Sequence, residues 1–259
     1  MSVQGTQPIS GASLQACGSS RSREQATPVQ ENVELIRKQI FDSAKKAGRN
    51  PAEIQLIGVT KTIGVPQINE LLAAGVAAVG ENRVQDFLPK YEEFQTQEKR
   101  PDEWHFIGHL QRNKVKFIAD KVNLIHSVDS LPLANEINRH GEKNGKIIQI
   151  LAEVNISGES SKYGISPHEI LKFVENLVNM RFVRLRGLMT VAPFVENPER
   201  NRGFFNDLRE LVVDINTKSV YHSQLHDLSM GMSVDFATAI EEGATMVRIG
   251  TALFGERTR

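Results

Sequence analysis

Lys61 is a candidate nucleophile because of its position in the sequence. It follows the apolar, β-branched run at 54–60, so it is expected where a buried strand leaves the core. A deprotonated lysine amine attacks aldehydes and forms a Schiff base. Most lysines are instead solvated surface charges. Spacing alone leaves both interpretations of Lys61 open, and the rest of the chain has to decide between them.

Two segments rich in small residues could bind an anion. "SMGMS" covers residues 229–233 and "RIGT" covers residues 248–251. Backbone N–H groups in such segments can point at an anion because few side chains stand in the way. The helix after "SMGMS" is expected to begin near Ser233, and the positive end of its dipole would attract a phosphate. These segments therefore predict a phosphate cradle.

The elements that would position these groups alternate between strands and helices. A capping box at Thr27 and Gln30 predicts a helix ahead of the first strand. Eight apolar, β-branched runs, separated by helical patterns, predict strands at 54–60, 77–80, 104–108, 123–128, 146–157, 182–190, 224–230 and 245–255. This alternation indicates parallel βαβ units. Eight units match an α/β fold that is a single (β/α)8 TIM barrel with an extra N-terminal helix.

A doubly wound open sheet is the main alternative to the barrel. It usually carries a glycine-rich phosphate turn after the first strand, and "VTKTIG" is not such a turn. In a TIM barrel, functional residues gather at the carboxyl ends of the strands, and phosphate sites often follow strands seven and eight. The barrel therefore brings Lys61, "SMGMS" and "RIGT" to one rim.

A lysine and a phosphate cradle at one rim suit a phosphorylated aldehyde that is held as a Schiff base. Pyridoxal phosphate (PLP) is a cofactor with that chemistry. A phosphosugar aldolase or isomerase is the alternative, and it would need acid–base carboxylates at strand ends. Only Glu81 and Glu153 are near candidates for that role, which favours the cofactor.

Seven motifs of the sequence resemble one known family. They stand in the order and spacing of the YggS/PROSC family of pyridoxal phosphate homeostasis proteins, which are single-domain relatives of the alanine racemase N-terminal barrel. The resemblance covers residues 30–257 and implies a fold-type III PLP barrel. The motifs are "IGVTKT", "VGENRVQD", "WHFIGHLQRNK", "IHSVD", "EVNISGESSKYGI", "RLRGLMT" and "LSMGMSVDFATAIEEGATMVRIGTALFG".

The resemblance also implies roles for individual residues. Lys61 resembles the Schiff-base lysine, and Arg248 resembles the arginine beside the ring nitrogen of the cofactor. The phosphate cradle is implied for Ser229, Met230, Gly231, Gly250 and Thr251. The lining of the pocket around the ring is implied for Asn82, His105 and Met189.

Arg248 would limit the chemistry of the bound cofactor. A charged guanidinium disfavours protonation of the ring nitrogen, so the ring is a poorer electron sink for a substrate carbanion. Racemases with the alanine racemase barrel also use a tyrosine from an additional β-domain as a second base. The chain stops at Arg259, directly after strand eight, so no such domain is expected, and of three tyrosines only Tyr163 is expected near the mouth.

The expected function is therefore PLP binding for intracellular PLP (vitamin B6) homeostasis, with little or no catalytic turnover. The alternative is a PLP-dependent, racemase-like enzyme of narrow amino-acid specificity. PLP-dependent apoenzymes are the expected recipients of the cofactor. A barrel without the additional domain is expected to be a monomer.

Composition narrows the class of protein further. The 259 residues carry 31 Lys and Arg against 31 Asp and Glu, so there is no basic surplus for nucleic acid. The sequence lacks an apolar run of roughly 18 residues, so no membrane span is expected. The single Cys17 excludes an internal disulfide and favours a reducing, cytoplasmic compartment. Residues 1–26 are rich in Ser, Gly and Gln and are expected to be a disordered tail, which leaves 27–259 as one PLP-binding domain.

Overall fold

The computed structural model describes residues 1–2 and 26–255. The tail expected at 1–26 lies almost wholly outside these residues. Within the described part of the chain, no helix has both the length and the apolar character that a membrane crossing requires.

The described strands are parallel and form one closed barrel. They are β1 (Gln55–Val59), β2 (Ala78–Glu81), β3 (Glu103–Phe106), β4 (Leu124–Val128), β5 (Ile148–Glu153), β6 (Val183–Met189), β7 (Asp227–Ser229) and β8 (Met246–Ile249). Each strand pairs with its neighbours in sequence order, and β8 pairs with β1, where Met246 lies opposite Gln55. The predicted TIM barrel is confirmed, and the open sheet is excluded because the sheet closes on itself.

Helices surround the barrel. They are α1 (Pro28–Lys46), α2 (Val65–Ala73), α3 (Val84–Gln95), α4 (Val115–Ile118), α5 (Leu131–Asn144), α6 (Ile170–Leu177), α7 (Arg202–Thr217), α8 (Phe236–Glu241) and α9 (Thr251–Phe254). Short 3₁₀ turns occupy Pro51–Glu53, Arg112–Lys114, Pro167–Glu169 and Pro198–Asn201.

The extra helix α1 begins where the sequence predicts. The Thr27 N–H donates to Gln30 Oε1 at 3.0 Å, and the Gln30 N–H donates to Thr27 Oγ1 at 3.4 Å, which completes the capping box. One apolar face of the helix is buried, and its residues recur every three or four positions: Val29, Val33, Ile36, Ile40 and Ala44. Leu35 and Phe41 are exposed. The buried face packs against α8 and α9, where Asn32 Nδ2 donates to the Leu253 carbonyl at 2.9 Å.

The barrel has an apolar layer outside the strands and a mixed layer inside them. Because successive strand residues point to opposite faces, Trp104 packs outward on Phe87 and Phe94 while His105 points inward. The apolar side chains inside the barrel are Ile57, Ala78, Leu124, Leu151, Met189 and Met246. The buried polar side chains inside the barrel include His105, His126, Ser229 and Arg248.

The predicted end of β8 is wrong. The strand ends at Ile249 and not at 255, because the chain turns at Gly250 into the short helix α9. The N–H groups of Leu253 and Phe254 donate to the Gly250 carbonyl at 2.9 and 3.0 Å. An apolar run does not by itself distinguish a buried strand from a buried helical turn. β5 likewise ends at Glu153, before the predicted 157.

The predicted start of α8 is also wrong. The helix begins at Phe236 rather than near Ser233. Asp235 Oδ1 accepts the Met232 N–H at 2.7 Å and closes a turn ahead of the helix. Ser233 is therefore free of the helix and points its hydroxyl elsewhere.

Candidate functional site

A cavity of about 350 Å³ opens at the carboxyl ends of the strands. Residues at or after the ends of β1, β2, β3, β6, β7 and β8 contribute its walls. Five of the ten predicted site residues line it: Lys61, Asn82, Arg248, Gly250 and Thr251. The apolar part of the wall comes from residues such as Val191, Phe194 and Val234. The barrel thus brings together the lysine after β1 and the segment after β8, as predicted.

A strained turn delivers Lys61 to the cavity. The Ile63 N–H donates to the Thr60 carbonyl at 2.9 Å, so the chain reverses immediately after β1. Thr62 closes the turn with a φ of +64°, a left-handed conformation that β-branched residues rarely adopt. Thr60 is buried, whereas the Lys61 side chain is exposed. The turn therefore directs the amine out of the core and into the cavity.

Two backbone donors converge at the far wall of the cavity. The N–H groups of Gly250 and Ala252 both donate to Ser233 Oγ, at 3.3 and 3.2 Å. A single oxygen atom thus accepts from two N–H groups at the start of α9, as one oxygen of an anion would. Sequence reasoning assigned no role to the Ser233 hydroxyl. The small residues around it were the only available signal.

Gly231 and Met230 build the turn that carries Ser233. Gly231 has a φ of +90°, and a Cβ at this position would lie 2.6 Å from Ala239 Cβ. Only glycine allows this approach of the turn to α8. The Met230 N–H donates to the Met246 carbonyl at 3.2 Å, so the sheet already uses that predicted anion donor.

Arg248 lies buried between the barrel interior and the cavity. It donates to Ser229 Oγ at 2.5 Å and to the Thr190 carbonyl at 2.7 Å. Burial lowers the pKa of Arg248 to about 10, and the negative charges of Glu153 and Asp235 oppose that shift. The guanidinium is therefore a fixed donor at the floor of the cavity.

Three predicted site residues lie behind this floor rather than along the cavity. The Ser229 hydroxyl contacts Arg248 and His126 inside the barrel. Met189 is fully buried in the apolar interior. His105 bonds to Glu103 and His126 and lines a separate cavity at the amino end of the barrel. The structure does not bring these three side chains to the wall that Lys61 shares.

The carboxylates at the strand ends have two different environments. Glu81 Oε1 accepts from Thr60 Oγ1 and from Lys90 Nζ, each at 2.6 Å. Burial raises the pKa of Glu153 to about 7, the charge of Asp129 adds to the shift, and Arg248 opposes it. Among the described residues, the buried side-chain atoms without a hydrogen-bond partner include Glu81 Oε2, Asn82 Oδ1 and Glu153 Oε2. Glu81 is therefore structural, while Glu153 can change its charge near neutral pH.

Tyr163 contacts His109 at the rim of the barrel. Its exposed ring stacks on His109, with 3.8 Å between the ring centroids and 12° between the planes. His109 Nδ1 lies 3.4 Å from Asp129 Oδ2. The aromatic pair joins the loop after β3 to the loop after β5.

Comparison with known proteins agrees with this architecture. Residues 31–258 match the family model described as alanine racemase, N-terminal domain. The pyridoxal phosphate homeostasis protein of Aquifex aeolicus is 44% identical over 227 residues, which cover 88% of this chain and 97% of that protein.

Solved structures show the same barrel. The structure of PipY from Synechococcus elongatus with PLP bound has a TM-score of 0.76 and 30% identity, and the match covers 88% of this chain and all of PipY. Alanine racemase from Corynebacterium glutamicum has a TM-score of 0.66 over 90% of this chain and 62% of the racemase. At 14% identity, that likeness shows the fold alone. The chain belongs to the alanine racemase N-terminal domain family and, within it, to the pyridoxal phosphate homeostasis proteins of the YggS/PROSC type.

Proposed function

We propose that this protein binds PLP for intracellular PLP (vitamin B6) homeostasis and holds it as a Schiff base on Lys61. One observation carries the proposal. Lys61, Arg248, Gly250 and Ser233 line one cavity, and the Ser233 hydroxyl there accepts from the N–H groups of Gly250 and Ala252. An amine and an anion cradle on one wall are what a phosphorylated aldehyde requires.

The residues present fit the parts of PLP. A phosphate oxygen can take the place of the Ser233 hydroxyl oxygen, which already accepts from two backbone N–H groups. Asn82 lines the cavity, and its Oδ1 is buried without a hydrogen-bond partner. Bound PLP would supply an aldehyde for the Lys61 amine, and their condensation would release water. The names of the relatives and the PLP-bound PipY structure support the same cofactor.

The ionisable groups of the cavity support a low turnover. Among the described residues that line it, these groups are Lys61, Asp235 and Arg248. Asp235 is occupied, because its two oxygens accept from the Met232 N–H and from Asn201 Nδ2. Racemisation needs two bases on opposite faces of the substrate. Lys61 has no free partner base in this set.

The proposal includes the recipients of the cofactor, the oligomeric state and the compartment. PLP-dependent apoenzymes are the proposed recipients of the cofactor, and the protein acts as a monomer in the cytoplasm. Residues 27–259 form the PLP-binding domain. The absence of a cysteine pair from the sequence supports a reducing compartment.

Trapping the cofactor tests the proposal. The purified protein is incubated with PLP, its absorbance spectrum is recorded, and the complex is reduced with borohydride and digested for mass spectrometry. We expect a visible band and a reduced PLP adduct on the peptide that contains Lys61. Lys61→Ala should lose both signals. Lys38→Ala, which removes an exposed lysine of α1, should keep both. A wild-type protein that stays colourless and unmodified would overturn the proposal.

Isotope exchange tests the low turnover. The PLP-loaded protein is incubated with L-amino acids in deuterated water. We expect no exchange of the α-hydrogen above that produced by free PLP. Exchange that Lys61→Ala abolishes would favour the racemase-like alternative.

A further inference from the structure

A chain of hydrogen bonds crosses the interior of the barrel from its amino end to Arg248. Glu103 Oε2 lies 2.8 Å from His105 Nε2, and His105 Nδ1 lies 2.8 Å from His126 Nε2. His126 Nδ1 lies 2.9 Å from Ser229 Oγ, which accepts from Arg248. Every member except Glu103 is buried, and the Glu103 side chain is 44% exposed in the amino-end cavity.

The chemistry of the groups fixes the direction of every proton in this chain. Arg248 can only donate, so Ser229 Oγ accepts from it and is free to donate its own proton to His126 Nδ1. The His126 proton then lies on Nε2 and is donated to His105 Nδ1. The His105 proton lies on Nε2 and is donated to the Glu103 carboxylate. Both imidazoles are neutral in this arrangement, and each nitrogen has one partner.

The reverse direction fails at the amino end. If His126 donated to Ser229, His105 would have to donate through Nδ1. A neutral His105 would then present a bare Nε2 to Glu103. Two acceptors would face each other unless a proton were added to one of them. With both imidazoles neutral and Glu103 ionised, only the first direction satisfies the whole chain.

The electrostatics agree with this direction. Burial lowers the pKa of His126 well below its usual value, and the positive charge of Arg248 adds to that shift. The hydrogen bond from His105 lowers the pKa of Glu103 to about 2, with further help from Gln55. His126 is therefore neutral and Glu103 is ionised at physiological pH.

The chain of hydrogen bonds links the buried cation Arg248 to a distant negative charge, the Glu103 carboxylate. Among the described residues, no carboxylate lies within 4.0 Å of the Arg248 guanidinium in a salt bridge. Each group of the chain instead turns its lone pair toward Arg248 and its proton toward Glu103. The aligned dipoles stabilise the guanidinium where a direct ion pair is absent.

On the basis of the proposed function, we infer that Glu103, His105, His126 and Ser229 are positioning residues for Arg248, and that they set its hold on PLP from the opposite end of the barrel. None of them reaches the cavity that Lys61 lines. Other charges act on the two ends of the chain. Glu153 and Asp235 face Arg248, while Arg186 and Asp227 accompany Glu103 at the amino end.

Histidine tautomers test the direction without any cofactor. The PLP-free protein is labelled with ¹⁵N-histidine, and long-range ¹H–¹⁵N spectra are recorded at neutral pH. For His105 and His126 we expect neutral rings that carry their proton on Nε2. A proton on Nδ1 of either ring, or a doubly protonated ring, would overturn the inference.

Substitution at His126 tests the effect on the cofactor. Glutamine offers one acceptor and one donor in place of the two ring nitrogens, whereas leucine offers neither. His126→Leu should weaken PLP binding about tenfold, while His126→Gln should keep it within about threefold of the wild type. Equal affinities for the two variants and the wild type would overturn the inference.

Substitution at the exposed end separates positioning from folding. Glu103→Gln removes the remote charge from a half-exposed site, so we expect a folded protein with PLP binding weakened about threefold and a shifted His126 ¹⁵N spectrum. Glu53→Gln, in the same amino-end cavity but outside the chain, should change neither signal. An unchanged Glu103→Gln variant would overturn the inference. A wild type that binds no PLP would refute the proposed function instead, and the tautomer spectra would still decide the direction of the chain.

Discussion

The two ends of the barrel differ in whether their polar groups have strong partners within the protein. At the carboxyl end, Lys61 is exposed, the Gly250 and Ala252 N–H groups share one serine hydroxyl, and Asn82 Oδ1 is unpartnered. At the amino end, the polar groups pair with one another. Gln55 Nε2 donates to Glu103 at 2.7 Å, and Arg186 lies 2.9 Å from Asp227.

This difference indicates that polar groups at the carboxyl end serve ligand binding, whereas those at the amino end stabilise the barrel. Groups that lack strong protein partners keep their capacity to bind a ligand, whereas groups that pair internally have used it. The ion pair of Glu81 and Lys90 is a useful exception, because it lies at the carboxyl end but pairs its charges internally, although Glu81 Oε2 is buried without a partner. Four predictions test the comparison.

The largest effect is expected from breaking the Glu81–Lys90 pair. Lys90→Met leaves Glu81, whose side chain is fully buried, without its counter-charge, which costs about 4 kcal/mol in the free energy of unfolding. Lys61→Met, at the same end of the barrel, removes an exposed amine and should change that free energy by less than about 0.5 kcal/mol. Urea denaturation of the cofactor-free proteins measures both. Equal losses for the two lysines would contradict the distinction between internally paired and exposed groups.

The second effect is a pH dependence that arises at the carboxyl end. The pKa of Glu153 is raised from 4.5 to about 7 in the folded protein, so folding favours its protonated form. The contribution of Glu153 to the free energy of unfolding is fully present below pH 4.5 and is lost as the pH rises through about 7. This loss is on the order of 3 kcal/mol. Relative to the wild type, Glu153→Gln should therefore become more stable between pH 5 and pH 8.

Denaturation of the wild type and the Glu153→Gln variant at several pH values gives this difference. Glu159→Gln, an exposed control, should follow the wild type at every pH. At the amino end the sign is opposite. The pKa of Glu103 is lowered to about 2, so its contribution is present above pH 4.5 and is lost as the pH falls toward 2. A constant difference between Glu153→Gln and the wild type would show that Glu153 does not titrate in this range.

The third effect comes from the turn that carries Ser233. Gly231→Ala forces a Cβ to within 2.6 Å of Ala239 Cβ at a φ of +90°, so we expect a loss of about 2 kcal/mol. Gly203→Ala is the matched control, because nothing lies within 4 Å of its new Cβ and α7 favours alanine. Thermal denaturation distinguishes the two. A Gly231→Ala protein as stable as the wild type would mean that the turn has room to move.

The smallest effect concerns the turn after Lys61. Thr62→Gly removes a β-branched side chain from a φ of +64°, and we expect a gain of about 1 kcal/mol. Thr62→Ala keeps a Cβ and should gain less. Urea denaturation measures the gains, and a loss on Thr62→Gly would show that the threonine side chain stabilises the turn more than its backbone conformation destabilises it.

Much of the fold was predictable because it depends on local patterns. The alternation of β-branched runs and helical patterns predicts eight strands, and the capping box of α1 is correct to the residue. The lysine after β1 and the segment after β8 meet because every parallel strand ends at the same rim. These inferences need only sequence spacing and the topology.

The interior of the barrel was not predictable in the same way. Ser229 and His126 are 103 residues apart in sequence, and their contact depends on strand register and tilt. His105 and Ser229 were assigned to the cofactor by resemblance, yet both side chains lie below the cavity floor. A histidine in the apolar run "LIHSV" was the one available signal for His126, and on its own it does not name a partner.

The docking of α1 against α8 and α9 has a consequence for the synthesis of the chain. The apolar face of α1 is synthesised before every strand of the barrel, but its partners in α8 and α9, which include the Leu253 carbonyl bound by Asn32, are synthesised only after β7. That face stays uncovered until nearly the whole barrel has been translated. The Gly250 and Ala252 donors are also synthesised after β7. A truncated or stalled chain therefore lacks both the cover of its first helix and half of its anion site.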